Sequence, residues 1–189
     1  MGSEQLALLG PGRVQARDRS CVPFRPRKDV LARFAGKVVR TETCWWWVGA
    51  VSQGGYGAFA ETHDAVIGAH RWALEVALGR RLWGDEVASH GCDEPLCVRV
   101  GEGHIRLASQ AENIEEMRAR GRRVGRWALD GRSRADRSRE IRAAVRAADQ
   151  AGTDPVAAAA QAAAAATRRL RRSSAASDPG ERHLRLPLT

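Results

Sequence analysis

The sequence predicts an α+β protein: an N-terminal β-hairpin platform with a helix, a core carrying cysteine and histidine, and a helical, basic C-terminal extension. Three observations predict it. Two strand-like stretches, 44–51 and 56–60, are separated by "SQGG", which is hairpin punctuation. Helical patterns follow at 70–82 and from Ser109. Beyond them the charge changes character, because residues 118–139 hold nine arginines and two aspartates.

Residues 1–28 are rich in Gly, Pro and Arg without sustained periodicity, and are expected to form a loose basic arm. From Asp29 the pattern tightens. "DVLARFAGKVV" places Val30, Leu31, Phe34 and Val38 at helical spacing, with Asp29 as the expected N-cap. The hairpin comes next, and a third strand is expected through "AVIGA". "HRWALEVALGRRL" then reads as an amphipathic helix with Trp72, Leu74, Val76 and Leu78 apolar and Gly79 closing it. Ser109 is a good N-cap for the following helix, with Glu112 at the capping-box position. An Ala-rich segment, 140–172, has strong helix propensity but few large apolar residues, so a helix without a core of its own is expected there. The expected divisions are therefore a disordered arm at 1–28, a compact domain at 29–122 and a helical to disordered tail at 123–189.

Lys and Arg number 31 against 22 Asp and Glu, for a net charge of +9 and a pI near 10.7. That balance favours a polyanionic partner, most simply nucleic acid, because each cation placed on a phosphate releases a counterion. No apolar stretch approaches the roughly 18 residues of a membrane span. The patch "LALLG" near the start has no basic region before it and no secretory cleavage pattern, so a cytoplasmic protein is expected. Four cysteines in that setting are core residues or metal ligands rather than a disulfide framework.

The densest chemistry is "SHGCDEPLCVRVGEGHIRL", residues 89–107, with two of the five histidines and two of the four cysteines. A thioredoxin-type redox pair needs two residues between its cysteines, and Cys92 and Cys97 have four. Burial of the thiols in a core is a second reading. Metal chemistry is the third and is favoured here, because thiolate and imidazole suit zinc, and imidazole with oxygen suits a catalytic divalent ion. A Cys₂His₂ finger is disfavoured, since His90 precedes the cysteines.

The run "CWWWVGAVSQGGYGAF … AHRWALEVALG … SHGCDEPLCV … HIRL … SQAENIEEMRARGR", over about residues 33–123, resembles the HNH endonucleases of phages and actinobacteria. The resemblance implies a ββα-metal core gripping one divalent ion, Mg²⁺ or Mn²⁺, and hydrolysis of phosphodiester bonds in DNA. It implies that His90 is the general base and that His104 ligates the ion. A neutral imidazole suits the first task, since its ordinary pKa of about 6.5 lies near working pH. The pattern departs at two places. Arg99 stands in or near the position of the family's central asparagine, with two extra residues before His104, and is expected to contact phosphate rather than orient the base. Ser89 stands where many relatives carry a metal-binding aspartate. Glu102 and Asp93 are the candidate oxygen donors. The departures keep open an alternative: a DNA-binding or regulatory protein that retains the fold without cleavage.

Cys44, Cys92 and Cys97 lie in the matching motifs, whereas Cys21 lies in the arm. Three thiolates with one histidine or carboxylate would make a structural zinc site, which would help a small core. Simple packing of the thiols is the competing reading. Arg71 is a candidate phosphate contact, as are Arg118, Arg120, Arg122, Arg123 and Arg126, which should add salt-dependent, sequence-tolerant affinity for DNA. His70 is expected to bond nearby backbone at a helix start, and Asn113 to make local hydrogen bonds. His63 and His183 have no partner in sequence. Trp45, Trp46 and Trp47 alternate along a strand, so at least one is expected inward and one outward.

Overall fold

The computed structural model describes residues 23–120 and 133–176. It is α+β, with small antiparallel sheets and five helices among the described residues. The chain enters where the Phe24 N–H donates to the Gly79 carbonyl (2.7 Å). Helix α1 (Lys28–Ala35) buries Val30 and Phe34, one turn apart. Arg27, not Asp29, is its N-cap; Asp29 lies in the first turn, where a carboxylate favours the positive end of the helix dipole. The helix stops at Gly36, and the β-branched pair Val38–Val39 continues as strand β1 (Val38–Arg40). Val38 is thus a strand residue rather than the last residue of a helical stripe.

Strand β1 pairs antiparallel with β2 (Trp45–Trp47), Val39 opposite Trp46. The other edge of β2 is taken by residues 96–98: the Trp47 N–H donates to the Leu96 carbonyl and the Val98 N–H to the Trp45 carbonyl, both at 2.8 Å. Trp46 and Trp47 are consequently both buried, while half-buried Trp45 lies under the Arg40 guanidinium. A second sheet has the order β3 (Ala50–Val51), β4 (Gly57–Ala60), β5 (Val66–Gly68). Its first turn, "SQGG", needs glycine at 55, where φ is +82°.

Helix α2 (Ala69–Leu78) follows, and Gly79 closes it in the left-handed conformation. Strands β6 (Glu86–His90) and β7 (Ile105–Ser109) pair antiparallel, with His90 opposite Ile105. Helix α3 (Gln110–Ala119) starts at the expected capping box of Ser109 and Glu112 and packs on both strands. Residues 86–119 therefore form a strand–strand–helix unit with a long loop between the strands.

Phe34, Trp47, Phe59 and Trp72 meet at the centre, with Phe34 stacked on Trp72 at 4.3 Å and Trp47 at 5.0 Å from Phe34. Such contacts stabilise beyond area burial. The core does not end near residue 122. Helix α4 (Arg134–Ala151) lies against β1, β2 and β3 and packs on α5 (Pro155–Ala176). Its Ile141 and Val145, with Ala159 of α5, belong to the same hydrophobic cluster as the aromatic centre. The expected tail is, in this part, structural. No helix among the described residues is long and apolar enough to cross a membrane.

Candidate metal centre and the histidine beside it

Cys44, after the β1 turn, meets Cys92 and Cys97 from the β6–β7 loop and His104 just before β7. Their ligand atoms all lie within 4.8 Å of one another. His104 Nδ1 is 3.6 Å from Cys97 Sγ and 3.9 Å from Cys44 Sγ. None of the three thiols is in a disulfide. With Zn–S bonds of about 2.3 Å, ligands of one tetrahedral ion lie roughly 3.5–4 Å apart, so the four atoms fit zinc in size and in softness. Electrostatics point the same way. Hydrogen bonds from Cys44 and Cys97 hold the Cys92 thiol far below its ordinary pKa, and the bond to Cys92 pushes Cys44 far above. Cys97 is pushed up as well, so one thiolate is favoured among the three, and a divalent cation is what would let the others ionise beside it.

Local sequence explains how distant ligands meet. The Thr41 hydroxyl donates to the Cys44 carbonyl (2.6 Å). Arg99 donates to the carbonyls of Glu42 (2.6 Å) and Thr43 (2.8 Å), clamping the Cys44 loop onto the segment that carries Cys97 and His104. Arg99 was expected at a phosphate; the structure places it on backbone carbonyls. The segment "VRVGEGH" curls through Gly101 and Gly103, both at positive φ. The Gly91 N–H donates to the His104 carbonyl (2.6 Å), and a Cβ at 91 would sit 2.8 Å from the Gly103 carbonyl carbon, so only glycine fits. This curl carries His104 to the thiols. His104 is therefore the fourth member of the Cys₃His group, the ligand that sequence left open. It is not placed with Glu102, which is exposed in the turn before it. Among the described residues, this is the one group of three or more His, Cys, Asp or Glu close enough to hold an ion.

His90 ends β6 directly beside this centre. Its Nε2 lies 3.1 Å from the Cys97 carbonyl. A carbonyl only accepts, so Nε2 carries the proton and Nδ1 is left with the lone pair. Burial pushes the His90 pKa down, against the Cys97 carbonyl bond, which raises it. The ring stacks 6.0 Å from Tyr56 and lies 4.9 Å from His70. His70 was expected to bond backbone at its helix start. Its Nδ1 is instead buried without a partner, and burial, then the neighbouring His90, lower its pKa to about 3. The His70 ring folds back over Gly68, where a Cβ would be 2.9 Å from a ring carbon. Arg134 of α4 donates to the Tyr56 hydroxyl (3.0 Å).

On the helix side, Ser89 donates to Glu116 (3.4 Å), which also pairs with Arg106 and Arg120. Arg120 donates to the His90 carbonyl (3.0 Å) and to Asp93 (2.7 Å), so this candidate DNA contact and this candidate oxygen donor hold each other. Arg71 is engaged by Glu75 (3.0 Å) and the Leu82 carbonyl. Arg118 is exposed, and Asn113, half-buried on α3, makes no hydrogen bond among the described residues. Arg122, Arg123, Arg126, Cys21 and His183 lie outside the described residues. Sequence reasoning missed Tyr56, Glu116 and Arg134. The signal for Arg134 is its place after the N-cap in "SRAD", a second capping box. Among known proteins, no family model, no curated protein and no solved structure matches the chain.

Proposed function

We propose that the chain is a phosphodiester hydrolase acting on DNA, of the HNH endonuclease kind, in which a zinc-stapled loop holds His90 as general base. The observation that carries it is the Nε2–Cys97 carbonyl bond, at the end of the first strand of a strand–strand–helix unit. That bond leaves Nδ1 as a proton acceptor in a ring that burial keeps neutral. In the reaction Nδ1 takes a proton from water, the water oxygen bonds to phosphorus, and the bond to the leaving sugar oxygen breaks, that oxygen taking a proton from solvent water. The Cys97 carbonyl steadies the imidazolium that forms. The Cys₃His group is structural here, since it offers four donors and no open position. Mg²⁺ or Mn²⁺ would supply charge neutralisation at the phosphate. Such an ion keeps several waters and takes one or two protein oxygens. The net charge of +9 favours the DNA backbone as partner.

A second reading, a DNA-binding or regulatory protein without cleavage, is favoured by one observation. Glu116, the carboxylate beside Ser89, is already neutralised by Arg106 and Arg120. Nicking of supercoiled plasmid with Mg²⁺ or Mn²⁺ separates the two. Wild type is expected to cut, and His90→Ala to cut about 100-fold more slowly or worse. Equal cutting by both removes His90 as the base. DNA binding without metal-dependent cutting by wild type selects the second reading.

A further inference from the structure

We propose that Arg134, delivered by α4, grips the substrate phosphodiester next to the Tyr56–His90 pair, so that α4 forms one wall of the site. The inference rests on the hydrolase reading for the chemistry of the ligand, but not for the geometry of the wall. That geometry is a run of adjacent rings. The Tyr56 ring is 6.0 Å from His90 at 23° and 5.1 Å from His70 at 35°. The Arg134 guanidinium lies 5.4 Å from the same Tyr56 ring and donates to its hydroxyl. Tyr56 thus joins the cation to both histidines.

The chain is built to let the arginine reach this place. Gly55 leaves a gap that no other residue can leave: its φ is +82°, and a Cβ there would stand 2.6 Å from Arg134 Cγ and 2.9 Å from the Arg134 carbonyl carbon. The Ser133–Asp136 capping box fixes the start of α4, and Ile141 and Val145 fix its body in the core. Arg134 is therefore held at both ends rather than carried on a loose tail.

Chemistry assigns the ligand. Hydrolysis of a phosphodiester builds negative charge on the phosphoryl oxygens, and a positioned cation is the strongest means of stabilising it. The His70 ring is buried, which lowers its pKa to about 3, so it does not supply that charge. A guanidinium does, and its planar fork matches two phosphate oxygens. A second and independent feature lies in the same run of rings. His70 Nδ1 is buried with no partner, a polar atom whose cost is relieved when a polar ligand or its water arrives.

The test uses the full chain with its metal, as wild type, Arg134→Gln and Arg134→Lys, each checked for an unchanged melting curve. First, a short DNA duplex is titrated with no divalent ion added, and the imidazole nitrogen NMR signals are followed. The His70 and His90 signals should shift in wild type, and Arg134→Gln should need about 10-fold more duplex, the loss of one charged hydrogen bond. Second, in the nicking assay Arg134→Gln should lower kcat by about 100-fold, Arg134→Lys by less, and added guanidinium ion should restore part of the loss. A merely structural arginine gives no such rescue. If wild type cuts and Arg134→Gln cuts equally well, the inference falls and the hydrolase reading stands. If wild type does not cut but its shifts depend on Arg134, the grip stands and the hydrolase reading falls. His70 and His90 signals that ignore the duplex in wild type overturn the grip in either case.

Discussion

A histidine nitrogen buried without a partner makes the fold sensitive to acid, and His70 is such a residue. The folded chain refuses its proton down to a pH of about 3, whereas the unfolded chain accepts it near the ordinary 6.5. The unfolded state therefore binds more protons between those values. The stability contribution is whole above the unfolded pKa and is lost as pH falls towards the folded one. His90, also pushed down by burial, adds loss of the same sign. His70→Phe keeps a ring against Tyr56 and has no nitrogen. Its melting temperature should fall less steeply than that of wild type as pH drops from neutral to about 4. Parallel curves would show that His70 takes up its proton without opening the fold. At this scale the chemistry was legible as residue type but not as partnership. His90 and His104 both stand out in sequence, yet spacing cannot show that glycines 101 and 103 turn the second one onto the thiols. Arg99 likewise reads as a free cation until the carbonyls of Glu42 and Thr43 are seen beneath it.

Elements defined by local chemistry were the most legible. The hairpin punctuation at "SQGG", the left-handed stop at Gly79 and the Ser109–Glu112 capping box each act within a few residues, so sequence alone carries them. Helix α4 shows the opposite case. Its buried stripe runs through Ala135, Ser138, Ile141, Val145 and Ala148, at spacings of three and four, but the residues are small and set among arginines. Only the sheet they cover reveals them as core. Ile141→Ala should therefore cost about 2–4 kcal/mol, the range for deleting a fully buried branched side chain. Chemical denaturation followed by tryptophan emission measures this. A change within a few tenths of a kcal/mol would return α4 to the role of an accessory helix.

Over the whole molecule, the Cys₃His group brings position 44 to positions 92–104, so one ion held there would fasten the β1–β2 hairpin to the strand–strand–helix unit. Metal affinity of this kind becomes folding free energy. Protein purified without added metal should hold about one zinc per chain, the count that four such ligands allow. A chelator, or Cys97→Ala, should lower the melting temperature by about 10 °C or more. Metal analysis with calorimetry checks both; zinc-free protein with an unchanged melting curve would mean that the thiols merely pack. Composition reaches only part of this scale. The charge gives only an expectation of a polyanionic partner, and the outline of the domain depends on contacts between residues a hundred positions apart, for which no local signal exists.

The bond between His90 and the Cys97 carbonyl joins two events that are usually separate. Cys97 offers its sulfur to the Cys₃His group, and its own backbone carbonyl sets which nitrogen of His90 carries the proton. A chain still emerging from the ribosome holds residue 90 before residue 97 and long before any ion is caged. Under the hydrolase reading, such a chain lacks the carbonyl that fixes the base until residue 97 has folded beneath His90. An ion held by the four side chains would then keep that one carbonyl oxygen in place.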